Sequence, residues 1–364
     1  MALKCGIIGL SNIGKTTIFN CVSNTKAEIT SFAFSTNKSN IGMVNVRDPR
    51  LQIIRDLVDS IKIIPTTVDL VDIPGLTKGA SEGEGVGNKF LADIQQTNAL
   101  IHVLRCFDDE NLPHIEGSVD PARDKEIVDF ELQIRDLDLV ERKIERLGKL
   151  VKIGDKKAAH GVDVLKSLKE HLENFGNVRD FEIGEQDKID FILDMYLLTD
   201  KPVLYVCNVD DSSAIKGNAY VEKVKEAVDD DSEILVIAGS LESDIAELDA
   251  DDQKDFLEDA GLKEPGVDKL VRGAYHLLNL KSFFTAGPKE VHAWTIKKGM
   301  KAPQAAGVIH SDLERGFIRA EVMHYSDFVE FGSEAACRDN GKLLIEGKNY
   351  EVEDGDIINI RFNV

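Results

Sequence analysis

The chain begins with an apolar run, KCGIIGL, breaks into the polar loop SNIGKT, and resumes with TIFNCVS, which opens a helix. A run that is apolar on both faces is what a buried parallel strand requires, so strand, loop and helix are expected in that order. Runs of the same kind return in TTVDLVDIPG, ALIHVLRCF, KPVLYVCN and SEILVIAGS. Such strands, separated by longer mixed stretches, predict an α/β fold built on a largely parallel sheet.

Two regions depart from that rhythm. Leu137, Val140, Ile144, Leu147 and Val151 are spaced three and four apart, and after the polar break KIGDKKAAHG the spacing resumes at Val162, Leu165, Leu168, Leu172 and Phe175. Each set falls on one helix face, which predicts an antiparallel coiled-coil hairpin inserted into the sheet domain. From about Phe283 the pattern changes again: VHAWTI and GFIRAEV read as strands around an AAGVIHSDLE helix. In the terminal NYEVEDGDIINIRFNV, Asp354-Gly355 between two alternating runs signals a hairpin. The expected organisation is a first sheet segment over 1–123, the helical insertion over 124–200, a second sheet segment over 201–280 and a small β-grasp domain over 281–364. A chain of 364 residues exceeds what one hydrophobic core usually serves, in keeping with several domains.

Composition narrows the partners. The net charge of -21 opposes loose binding to nucleic acid, and no base-reading motif points to sequence-specific recognition. The acidity is uneven: from Lys281 onward 11 basic residues face 13 acidic ones, so the C-terminal piece is the better candidate to meet an acidic partner. The five cysteines form no C-x-x-C pair and sit mostly in apolar runs, as buried thiols of a reducing compartment do. No stretch approaches the ~18 apolar residues of a membrane span, so no membrane partner is expected and a cytoplasmic location is.

The chemistry starts at Gly9. GLSNIGKT matches G-x-x-x-x-G-K-[ST] in the strand-loop-helix context the motif needs. Glycines let backbone N–H groups curl around phosphates, so Asn12, Ile13, Gly14, Lys15, Thr16 and Thr17 are expected to bind a nucleotide. Lys15 would reach the β- and γ-phosphates, and the Thr16 hydroxyl would ligate Mg2+. One strand later, Asp72 and Gly75 form an Asp-x-x-Gly, with Asp72 holding the metal through water and Gly75 sensing the γ-phosphate. Between them Thr36 is the expected switch threonine on the metal, and the glycine-rich stretch after Gly75 the expected second switch. Asn12 allows two readings, a ligand for K+ beside the phosphates or a side chain that braces its own loop.

The base site is unusual. NVDD at Asn208, Val209, Asp210 and Asp211 nearly spells the guanine-reading Asn-Lys-x-Asp, but Val209 replaces the lysine whose stem lies along the base. Losing one part of a polar recognition set costs about 1–3 kcal/mol, so guanine preference should weaken. Gly239 and Ser240 in IAGSLES are expected to border the base through backbone N–H groups. ATP is therefore expected, with GTP as the alternative. A small-molecule kinase would share the loop but needs an acceptor pocket and lid where this chain has a heptad hairpin.

GLSNIGKTT, FSTNKSNIG, VDIPGLTKGASEGEGVGNKFL, EPGVDKL, FFTAGPKEVHAWTI, APQAAGVIHSDLERGFIRAEV and DGDIINIRFNV together resemble the YchF family, Obg-like ATPases of the translation-factor GTPase class. The resemblance implies a P-loop nucleotide-binding domain carrying a helical hairpin, with a C-terminal TGS-like β-grasp domain. It also implies ATP in preference to GTP and a ribosomal partner, in particular the large subunit. In that family the base motif reads Asn-x-x-Glu, from which this chain departs with the shorter Asp211. Leu76 stands where Ras-like proteins carry the water-orienting glutamine. The resemblance implies that His114, in DDENLPHIEG, takes over as the catalytic residue, although a loop histidine taken alone is ordinarily a surface residue. A nucleotide-dependent binding module with negligible turnover is the remaining alternative.

Overall fold

A computed structural model describes residues 3–24, 40–75, 86–229 and 231–363. The chain divides into two compact units, Met1–Met43 with Asp69–Leu270, and Val44–Val68 with Val271–Val364. Among the described residues no helix is long and apolar enough to cross a membrane.

In the order of the chain, the first unit's sheet uses β1 (Lys4–Ile8), β2 (Asn40–Asn45), β4 (Thr67–Asp72), β5 (Ala99–Cys106), β6 (Val203–Val209) and β7 (Ile234–Ile237), while β3 (Lys62–Ile64) belongs to the second unit. Their order across the sheet is β2-β4-β1-β5-β6-β7. β1 pairs in parallel with both β4 and β5, and β5 with β6 and β6 with β7 are parallel too. The chain therefore leaves β1 toward one edge and later returns to fill the other. Ligands of open α/β sheets bind at such a switch point, beyond the carboxyl ends of the strands. All eight residues of β5 are buried, which is why its sequence shows no period-two alternation. The helices in this unit include α1 (Lys15–Asn24), and α2 (Pro49–Val58) belongs with β3 to the second unit.

After α3 (Val86–Gln95), the inserted arm consists of α4 (Pro121–Val151) and α5 (Lys156–Glu173). Asp120 caps α4 by accepting from the Arg123 N–H at 3.4 Å, ahead of Pro121 in the first turn. Asp155 caps α5 by accepting from Ala158 N–H at 3.0 Å, so the turn is much shorter than the polar composition of KIGDKKAAHG suggested. Lys, Ala and His are all competent inside a helix once a cap starts it. Val140, Leu165, Leu168 and Leu172 form the buried seam with Leu137, Ile144 and Leu147 against it. The stripe ends early on both helices, because Val151 is 37% and Phe175 70% exposed. Asp136 ties the arm's return to its base, accepting from the N–H groups of Leu198 (2.7 Å) and Thr199 (2.8 Å) and from the Thr199 hydroxyl (2.7 Å). Burial pushes this carboxyl up to about 6 despite those three donors.

In the second unit β8 (Leu280–Ala286), β9 (Glu290–Lys297), β10 (Phe317–Met323), β11 (Leu344–Glu346) and β12 (Ile357–Phe362) form a sheet ordered β11-β10-β12-β8-β9-β3. Consecutive residues of β8 face opposite ways: Phe283 packs with Ala302, Ala305 and Ala306 of the helix Ala302–Ile309, and Phe284 packs with Leu51 and Ile54 of α2. Residues 44–68 lie in sequence between strands of the first sheet, yet they cover one face and extend one edge of this second one. The expected terminal hairpin is only half present. Asp354-Gly355 is a turn with Gly355 at φ 90, but among the described residues the run before it forms no strand, only the isolated bridge Lys301–Glu351. Asp354 instead accepts from Ser282 N–H at 2.9 Å and pairs with Arg50 at 2.7 Å, which holds the turn against β8 and α2. The five cysteines are buried, and none forms a disulfide among the described residues.

Candidate nucleotide-binding site

The loop after β1 has an irregular backbone that two glycines permit. Gly9 lies at φ 141, and a Cβ there would come within 2.5 Å of the Val103 carbonyl of β5. Gly14 lies at φ 90, and a Cβ there would sit 2.2 Å from the Asn208 amide nitrogen. Asn12, on the crest, takes the left-handed conformation at φ 61 with its side chain exposed. The fold thus curls the loop's backbone as phosphate binding requires.

Lys15 begins α1 and is buried, with its ammonium donating to the Leu10 carbonyl. Burial lowers its pKa to about 8, with nearby Asp72 opposing the shift. Thr16 and Thr17 follow at the exposed head of the helix. The Thr16 hydroxyl donates to Asp72 Oδ2 at 3.1 Å, whereas the buried Asp72 Oδ1 has no partner among the described residues. Burial raises the Asp72 pKa, against the pull of Thr16 and Lys15. A desolvated carboxylate oxygen without a donor, beside a threonine hydroxyl, is an oxygen donor set that suits a hard divalent cation. Gly75 closes on the same corner: a Cβ there would meet Ser11 Oγ at 2.6 Å and Lys15 Nζ at 3.1 Å. Thr36, Leu76 and residues 77–85 of the glycine-rich stretch lie outside the described residues, and the stretch ends in the first turns of α3.

At the base end, Asn208 donates from Nδ2 to the Ile13 carbonyl at 2.9 Å and accepts from Gly239 N–H at 3.0 Å. Both ends of its buried amide are spent on protein, so it clamps the phosphate loop to the 239 loop and positions the site from behind. The Gly239 N–H, expected beside the base, is the group that donates to Asn208 here. Val209, at the position of the guanine-reading lysine, is 2% exposed and packs with Leu104, Cys106, Val221 and Val224 in the core. Neighbouring strand residues point to opposite faces, so with Asn208 turned to the loop Val209 must turn away. Asp211 and Ser240 do come together on the exposed side, the serine hydroxyl donating to Asp211 Oδ1 at 2.5 Å.

His114 is not a solvated loop residue. Its side chain is 3% exposed, and Nε2 lies 2.8 Å from Asp124 Oδ2 on the first turns of α4, although the pair is not aligned as a hydrogen bond. Nδ1 accepts from Glu116 N–H at 3.1 Å. Burial raises the pKa of Asp124, with Arg123 and His114 opposing. Two residues here escaped the sequence reading, Asp124 and Arg105. The signal for Arg105 was a cation inside the otherwise apolar ALIHVLRCF, and Asp124 had none beyond its place in a helix start.

A phosphate loop at the switch point of a parallel sheet, with a threonine-aspartate corner for a cation, defines a P-loop nucleotide-binding protein. A family model described as 50S ribosome-binding GTPase matches residues 4–143, and the C-terminal YchF-GTPase model, described as a protein of unknown function, matches residues 280–363. The chain is 46% identical to the ribosome-binding ATPase YchF of Bacillus subtilis and 44% identical to that of Escherichia coli O157:H7, in both cases over 100% of either chain. The structure of the Schizosaccharomyces pombe YchF GTPase matches with a TM-score of 0.87 at 33% identity, covering 99% of this chain and 97% of that one. The chain belongs to the YchF family. A GTP-binding protein from Pyrococcus horikoshii, at 18% identity and a TM-score of 0.57, shares the fold.

Proposed function

We propose that the protein is a Mg2+-dependent nucleoside-triphosphate hydrolase that prefers ATP to GTP and acts on the ribosome, through its large subunit. The observation that carries the hydrolase reading is the corner formed by Lys15, Thr16 and the buried Asp72 oxygen that has no partner among the described residues. Lys15 would hold the β- and γ-phosphates there, Thr16 and, through water, Asp72 would hold Mg2+, and the metal would supply neutralisation of phosphate charge. His114 orients the attacking water in place of the glutamine. The ribosome enters through the relatives named ribosome-binding ATPases. Slow turnover without a partner is favoured by one observation: in this conformation both ring nitrogens of His114 face the protein.

Adenine is supported by what borders the base. Val209, in the lysine's place, packs in the core and supplies no stem to lie along a purine, and one oxygen of Asp211 already accepts from Ser240. Calorimetric titration should give a lower Kd for ATP than for GTP; a tenfold preference for GTP would sink the base assignment. Val209→Lys is unsuitable as a test because it would bury an ammonium in the core.

The depressed Lys15 pKa adds a pH signature. Phosphate charge raises the pKa of the bound lysine above its free value of about 8, so binding takes up a proton as pH passes that value. Triphosphate affinity should fall by up to about tenfold per unit as pH rises above 8. Titrations in buffers of different ionisation enthalpy would read the proton uptake directly, and its absence at pH 8–9 would refute the linkage.

A further inference from the structure

Arg105 heads the fully buried large side chains, with 1% of its surface exposed. Among the described residues it makes no ion pair; its guanidinium is met by backbone carbonyls. Nε donates to Phe107 O at 3.1 Å, Nη1 to Leu112 O at 2.8 Å and Nη2 to Asp109 O at 3.4 Å. Nη1 also reaches Asn12 O of the phosphate loop at 3.5 Å, the outer limit of a hydrogen bond. The cation lies 4.6 Å from the centre of the Phe107 ring.

Burying a charge against carbonyl dipoles alone is costly, and an apolar residue would fill a strand core with less penalty. What the guanidinium does that no apolar side chain can is join separate pieces of backbone. Phe107, Asp109 and Leu112 are the successive supports of the loop that ends in His114, and Asn12 is the crest of the phosphate loop. Arg105 is paired across the sheet with Asn208, which binds the next carbonyl, Ile13, from the adjacent strand. The two residues therefore hold neighbouring peptides of the phosphate loop, one reaching toward the base side and the other toward the histidine loop.

We propose that Arg105 is a positioning residue for hydrolysis, holding the base of the His114 loop to the phosphate loop so that the imidazole swings toward the phosphates from a set anchor. The inference rests on the water-orienting reading of His114. It requires the planar fork of arginine, since a lysine ammonium cannot span carbonyls lying on three sides.

The test compares wild type, Arg105→Lys, His114→Ala and the double variant, measuring ATP turnover and the Kd of a fluorescent ATP analogue. Arg105→Lys should lower kcat by about 10- to 100-fold, the scale of a misplaced catalytic group, with Kd changed less than about twofold. The double variant should be no slower than His114→Ala, because an arginine that acts through the histidine has nothing left to position. An equal fractional loss in both backgrounds, or a normal rate in Arg105→Lys beside a slow His114→Ala, overturns this proposal alone. A normal rate in His114→Ala brings down the water-orienting reading and this inference with it. Should the lysine variant not fold, Arg105→Gln replaces it in the same comparison.

Discussion

His114→Ala is expected to lower ATP turnover by about 10²-fold or more, the low end of what an acid-base or water-orienting group contributes, while leaving nucleotide affinity nearly unchanged. The structure adds a reason for this separation of rate from binding. The imidazole lies with Nδ1 on the Glu116 amide and Nε2 toward Asp124, so it contributes nothing to holding a nucleotide in this conformation. Its action requires it to leave Asp124 and approach the γ-phosphate, and an interaction made only on the way to the transition state appears in kcat. Single-turnover rates together with analogue binding make the distinction. A parallel loss of affinity would assign His114 to ground-state contact or folding, and full activity would leave it a structural loop residue.

Lys15→Ala should weaken triphosphate binding by about 3–5 kcal/mol, or roughly 10²- to 10³-fold and beyond in Kd, the cost of leaving a buried charge without its partner. The ammonium is buried and bound to the loop's own Leu10 carbonyl, so no reorganisation of a long solvated side chain is needed when phosphate arrives. Removing it also takes away a cation that opposes the upward shift of Asp72 and so pushes that carboxyl further up, which weakens the metal corner in the same stroke. Calorimetry with ATP and Mg2+ reads the loss, and circular dichroism confirms that the fold persists. Unchanged affinity would mean that the phosphate site lies elsewhere.

Much of the first domain is legible along the chain because its signals are local. The glycines, lysine and threonine of GLSNIGKTT sit within eight residues, Gly9 to Thr16, and their meaning depends only on the strand before and the helix after. The arm is legible for the same reason, since Leu165, Leu168 and Leu172 mark one face wherever that helix packs. The amino-acid sequence by itself determined the phosphate loop, the Asp72 corner, the inserted hairpin and the family. Only the tertiary structure decided what the residues at strand ends do. β5 and β6 are covered on both faces, so apolar runs conceal which way each side chain points, and the direction of Val209 follows only once Asn208 is seen on the Ile13 carbonyl. The burial of Arg105 beneath the His114 loop and the attachment of α2 and β3 to the second sheet are settled by contacts between segments far apart in the chain. No local pattern carries that information, because a hydrophobic face states that it must be covered and leaves open by what.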